Sequence, residues 1–107
     1  MGVLKPVCRL GDQGTGTCYA HPSPTAFTTT FVSTPGTTVT VDGIVICTIG
    51  TIGTTTCGHH TQASTGSGES KDPLGNAFHR VGDVGFVIEN TEGTYVATTG
   101  SGTTSSE

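Results

Sequence analysis

A fourteen-residue segment near the start of the chain aligns without a gap to one 39 positions further on, with seven positions identical. Cys8, Gly11, Gly14, Thr15, Thr17, Cys18 and His21 stand in register with Cys47, Gly50, Gly53, Thr54, Thr56, Cys57 and His60, and Leu10 with Ile49. A third copy opens at His79-Arg-Val-Gly-Asp-Val-Gly85. There Gly82 and Gly85 take the places of Gly11 and Gly14, and Asp83 that of Asp12. His79 stands where the other copies have Cys, and Glu89 and Glu92 replace the later Cys and His. The segments after the copies echo one another as Ser33-Thr-Pro-Gly36, Ser64-Thr-Gly-Ser67 and Thr98-Thr-Gly-Ser101. Glycine and threonine matches arise by chance in a chain with 17 glycines and 23 threonines; two cysteines and a histidine in register do not. Units this small cannot bury an apolar face alone, so the copies must pack on one another.

Composition says what kind of unit repeats. Gly and Thr are poor helix residues, which excludes a helical bundle. The 107 residues are expected to form one domain, 1–107, with repeats beginning near 8, 47 and 79. Only 32% of residues are hydrophobic and 11% charged, so the expectation is a small all-β domain with a thin core that needs a staple. Four Lys and Arg residues cannot neutralise many phosphates, so nucleic acid is not an expected partner. No apolar run approaches the ~20 residues of a membrane helix, and stable membrane insertion is not expected. The first residues carry no export signal, and Pro6 stands where a myristoylation signal has Ser or Thr. Thiols that never cross an oxidising compartment serve better as metal ligands than as disulfides.

Short strands are predicted at Thr25–Val32, Thr37–Val41, Ile44–Ile49, Asn76–Val81, Phe86–Ile88 and Thr94–Thr98. Asp42-Gly43 between two β-branched runs predicts a two-residue hairpin turn with φ positive at both positions. Segment Ser64–Asp72 has no apolar residue and is predicted to be a surface loop. Gly11, Gly50 and Gly82 are expected to supply positive φ in the repeated turns. Arg9/Asp12 and Arg80/Asp83, three apart around a glycine, are expected to bond each other and the backbone and so fix those turns.

The repeated Cys-x-x-His, Cys18/His21 and Cys57/His60, predicts a zinc site. Zinc takes four Cys and His ligands in tetrahedral geometry, and a closed site of four protein ligands is structural. Cys8, Cys47 and His79 share one repeat position and read in two ways: a second metal site or an addition to the first, or small buried residues with a hydrogen-bonded core histidine. No nucleophile and base stand together, so no catalytic residue is assigned and the chain is not expected to be an enzyme.

Arg9–Asp12, Arg80–Asp83 and the hairpin turn Asp42-Gly43 before Cys47 recur around Ser/Gly-rich turns in a way that resembles the PAAR-repeat family. The resemblance runs from about Val7 to Ser101. Pro6-Val-Cys-Arg9, Ile44-Val-Ile-Cys-Thr48 and Ala77-Phe-His-Arg80 stand in place of the family's Pro-Ala-Ala-Arg. The resemblance implies a small cone of β-hairpins with threefold pseudosymmetry and zinc held near the apex. His59 is the alternative there to His60 or Cys18, since the family more often uses three His and one Cys. It further implies a monomeric cap on a trimeric spike protein, one per trimer, at a phage tail baseplate or a type VI secretion tip, made in the bacterial cytoplasm. Val3, Leu4, Ile44 and Phe78 would line the docking face. Two other functions remain open: a small zinc-dependent hydrolase with Glu69 or Glu89 beside the metal, and a disulfide-stapled secreted binding module pairing Cys8–Cys47 and Cys18–Cys57.

Overall fold

The computed structural model describes residues 5–19, 23–34, 39–67, 71, 75–89, 93–102 and 104–106. Among them there is no helix. Ten strands follow in order: β1 (Lys5–Pro6), β2 (Gln13–Cys18), β3 (Thr25–Ser33), β4 (Thr40–Val41), β5 (Ile44–Val45), β6 (Ile52–Thr55), β7 (His60–Ala63), β8 (Val84–Val87), β9 (Gly93–Ala97) and β10 (Ser105–Ser106). Six of them close an antiparallel barrel in the order β2-β3-β6-β7-β8-β9. β9 completes the circuit on β2, with Thr15 opposite Val96. Each repeat contributes one hairpin: β2 with β3, β6 with β7, and β8 with β9. The chain is thus all-β.

Alternation explains which side chains face inward. Along β3, Phe27, Thr29 and Phe31 are buried, and along β9, Gly93, Tyr95 and Ala97. Cys8, Cys18, Cys47 and Val87 join the three aromatics and Ala97 in one core. β2, β6 and β7 were not expected as strands. β2 carries glycine inside and threonine outside, so no apolar stripe betrays it. Glycine is needed there because large side chains reach in from the neighbouring strand. A Cβ on Gly14 would lie 2.6 Å from Tyr95 Cδ1 and 2.9 Å from the Val96 carbonyl oxygen. Gly14→Ala is therefore expected to lower the unfolding free energy by about 1–3 kcal/mol in a denaturant titration.

At one end of the barrel the three repeat positions meet. Cys47 N donates to the Cys8 carbonyl, His79 N to that of Cys47, and Cys8 N to that of His79, each at 2.9 Å. This is a closed ring of three hydrogen bonds. Bridges Arg9↔Ile46, Thr48↔Phe78 and Val7↔Arg80 flank it. A glycine turn follows each member, with φ of +94° at Gly11, +99° at Gly50 and +92° at Gly82, as expected from sequence. In the first and third turns Asp12 and Asp83 accept from the Arg9 and Arg80 backbone N–H, both at 2.8 Å, and from the guanidinium Nε at 3.2 and 2.9 Å. The second turn does the same work without charge, the Thr51 hydroxyl accepting from Thr48 N at 2.8 Å.

The echoing Ser/Thr segments tie each turn to the hairpin before it. Thr99 Oγ1 donates to Asp12 and Thr65 Oγ1 to Asp83, at 3.1 and 3.2 Å, and the Thr34 and Thr51 hydroxyls pair at 2.9 Å. Segment 64–67 is consequently not all surface: Ser67 is buried and its N–H reaches the Phe78 carbonyl. The hairpin β4–β5 turns at Asp42 and Gly43, φ +57° and +78°, as the sequence predicts. The run beyond Val45 enters the ring as single bridges, as does most of Asn76–Val81, because each residue there serves a different neighbour. Val3, Leu4, Thr37 and Thr38 lie outside the described residues.

Candidate metal centre

At the other end of the barrel, Cys18 closes β2 while Cys57 and His59 sit in the turn between β6 and β7. Cys18 Sγ lies 3.6 Å and Cys57 Sγ 3.7 Å from the same atom, His59 Nδ1. All three donor atoms fall within 4.8 Å of one another, Cys18 buried and the other two half-buried. A ring nitrogen has a single in-plane lone pair or a single proton, so it cannot serve two thiols at once. One cation at their common focus could be held by all three. Zinc bonds of about 2.3 Å to sulfur and 2.0 Å to nitrogen, at the tetrahedral angle, place sulfur and nitrogen about 3.5 Å apart. The two sulfur–nitrogen separations therefore match that spacing, and the cluster offers three of the four donors that a tetrahedral cation takes.

The four sequence-assigned ligands are distributed differently. Cys18 and Cys57 come together. His21 lies outside the described residues. His60 turns outward, its Nδ1 2.6 Å from Glu89 Oε2 and its N–H donating to Glu89 Oε1 at 2.8 Å. That hydrogen bond from the His60 ring pulls the Glu89 carboxyl down to about 2. Both side chains are well exposed, so solvent screening leaves the pair little weight in stability. The repeat offset maps His21 onto His60, whereas alternation along β7, with Thr61 and Ala63 buried, turns His60 out and His59 in. That alternation, counted back from Ala63, is the signal that singles out His59.

The ring residues at the opposite end make no such cluster. His79 is fully buried and uses both ring nitrogens. Nδ1 donates to the Thr65 carbonyl at 2.7 Å, since a carbonyl only accepts, and Nε2 accepts from the Tyr95 hydroxyl at 3.0 Å. The ring is then neutral, consistent with burial holding its pKa below the ordinary histidine value. Phe31 and Tyr95 both pack edge-on against it. Cys8 and Cys47 are fully buried thiols, and burial pushes Cys47 up to about 12 and raises Cys8 as well. Of the two readings of these residues, the structure favours packed thiols around a core histidine. Native protein treated with iodoacetamide at neutral pH should accordingly stay unmodified at Cys8 and Cys47, as read by peptide mass mapping.

None of the four cysteines is in a disulfide. No helix among the described residues is long and apolar enough to cross a membrane. No family model, curated protein or solved structure matches this chain.

Proposed function

We propose that the chain is a structural tip protein: a zinc-stapled cone of three hairpins, related by a pseudo-threefold axis, that caps a trimeric β-helical spike. The closed ring of hydrogen bonds through Cys8, Cys47 and His79 carries this reading. Three like turns leave that ring, and three like seams tie the hairpins together. A single chain with such a base offers three similar corners to three identical subunits. An open β-prism ends in unpaired strand edges, which a cap of this kind covers. Zinc is assigned to Cys18, Cys57 and His59, with His21 as fourth ligand. There it would join the first hairpin to the second at the end remote from the ring. The protein would be made in the bacterial cytoplasm and act at the tip of a phage tail baseplate or secretion spike, without catalysis.

Ile44 on β5 and Ile49 in the second turn, 40% and 38% exposed, would supply apolar contact on the docking side. Ile44→Asp should weaken binding to the trimeric spike from the same source at least about ten-fold, since a charge would be buried unpaired. Raising salt from low to physiological strength should change wild-type binding little, because few charges are available to pair. Calorimetric titration measures both, and equal affinity of the variant would remove the docking face from the account.

A second reading rests on the three-ligand set: a small zinc-dependent hydrolase would hold water in the fourth place. The cobalt-substituted His21→Ala variant separates the two. A changed visible spectrum makes His21 a ligand and the site closed; an unchanged one leaves the site open.

A further inference from the structure

Thr55 stands beneath the metal-ligand turn, and its hydroxyl touches both ligands of that turn. Oγ1 accepts from His59 N–H at 2.8 Å, lies 2.9 Å from the His59 carbonyl oxygen, and lies 3.1 Å from Cys57 Sγ. A hydroxyl has one proton, so it can donate to the carbonyl or to the sulfur at any moment but not to both. The carbonyl does not depend on it, because Thr55 N–H also donates there, at 3.0 Å. The sulfur does depend on it once a metal is bound, since the ligand is then a thiolate with no proton of its own. The turn is thus built so that the hydroxyl proton can move from oxygen to sulfur without leaving any acceptor empty.

The repeat shows that this hydroxyl is not a general feature of the hairpins. The offset of 39 puts Gly16 at the corresponding position of the first copy, and the offset from Cys47 to His79 puts Val87 there in the third. The second copy, whose turn holds Cys57 and His59, is the one with a hydroxyl at this position; the first and third carry glycine and valine there.

We infer that Thr55 is a positioning residue for the metal centre, donating its hydroxyl proton to the Cys57 thiolate while its oxygen holds the His59 backbone in place. The inference rests on the metal reading above. A hydrogen bond of this kind stabilises the sulfur lone pairs and orients the thiolate, and loss of such an outer partner lowers metal affinity about 10–100-fold.

The test uses the full chain loaded with cobalt, in wild type, Thr55→Val and Thr55→Ser. Affinity is read by competition with a chromogenic chelator and thiolate donation by the sulfur-to-cobalt charge-transfer band. Thr55→Val is expected to bind at least about ten-fold more weakly and to shift that band to lower energy, because the sulfur lone pairs are no longer held down. Thr55→Ser, which keeps the hydroxyl, is expected to restore both. A residue that merely shapes the turn could lower affinity but would leave the band in place. If Thr55→Val gives too little folded protein, Thr55→Ser must still reproduce the wild-type band, and a shifted band in it would overturn the inference. Wild-type affinity and band in Thr55→Val would overturn the inference alone. Failure of the wild-type chain to take up cobalt would overturn the metal reading and the inference with it.

Discussion

Cys57→Ala should strip the protein of its metal and lower its thermal midpoint far more than Cys8→Ala does. Both changes remove one thiol. On the proposed zinc site the thiol at position 57 is a ligand, and a structural zinc would contribute a binding free energy of about 10 kcal/mol that is coupled to folding. Losing one of its ligands forfeits a large part of that and frees the tip of the second hairpin from Cys18 on the first. At position 8 the thiol is buried packing beside Cys47, and removing it leaves a small void that costs about 1–2 kcal/mol. Metal content by elemental analysis and thermal melts of the two variants measure the contrast. Equal melts with metal retained in both would remove Cys57 from the site.

Asp83→Ala should be the most destabilising single change at the ring end, by about 3 kcal/mol, because it breaks a buried ion pair from one side. Asp83 accepts from Arg80 N at 2.8 Å, from Nε at 2.9 Å, from a second guanidinium nitrogen at 3.1 Å and from Thr65 Oγ1 at 3.2 Å. The side chains of the pair are only 12% and 7% exposed. Removing the carboxylate leaves the Arg80 backbone N–H without its acceptor and the guanidinium with the Gly66 carbonyl alone, at 3.3 Å. Asp12→Ala should cost less, since Arg9 keeps a second carboxylate, Asp42 Oδ2, at 2.9 Å.

The carboxyl also sets an acid limit. Burial alone would raise the Asp83 pKa, but the hydrogen bonds from Arg80 outweigh burial and hold it below the ordinary value of 3.8. A carboxyl held below its unfolded-state pKa stabilises the fold at every pH above about 3.8, and that contribution fades as pH falls through the folded value. His79 adds an earlier loss of the same sign. Its folded pKa lies below 6.5, so the unfolded chain takes up a proton first, and stability declines as pH falls below about 6.5. Denaturant titrations across this range should show wild type losing stability in both windows, and Asp83→Ala in the upper one only.

The ring end was legible in the sequence because its parts are punctuation. Gly11, Gly50 and Gly82 recur at one repeat position, the first and third within Arg-x-Gly-Asp, and positive φ and a side-chain oxygen that reaches back are what such turns demand. The Asp42-Gly43 hairpin was legible for the same reason. The barrel wall was not. Gly14, Gly53 and Gly85 leave the inward face of β2, β6 and β8 bare, and Tyr95 reaches in from β9 against two of these glycines, Gly14 and Gly85. A pattern whose apolar half sits on a different strand has no local periodicity to read. The metal site was half legible. Repetition singled out Cys18 and Cys57, but which neighbouring histidine turns inward depends on the phase of β7, which starts within the turn itself. Thr55 was one threonine among 23 until its three contacts were placed.

The account stands on three repeats in one chain meeting three chains of one partner. Native mass spectrometry of this protein mixed with the trimeric β-helical spike from its own source reads that ratio directly. The account predicts a complex of one cap to three spike subunits carrying one zinc ion. A homo-oligomer of the cap alongside free spike trimers, or a complex with one cap on every spike subunit, would contradict it.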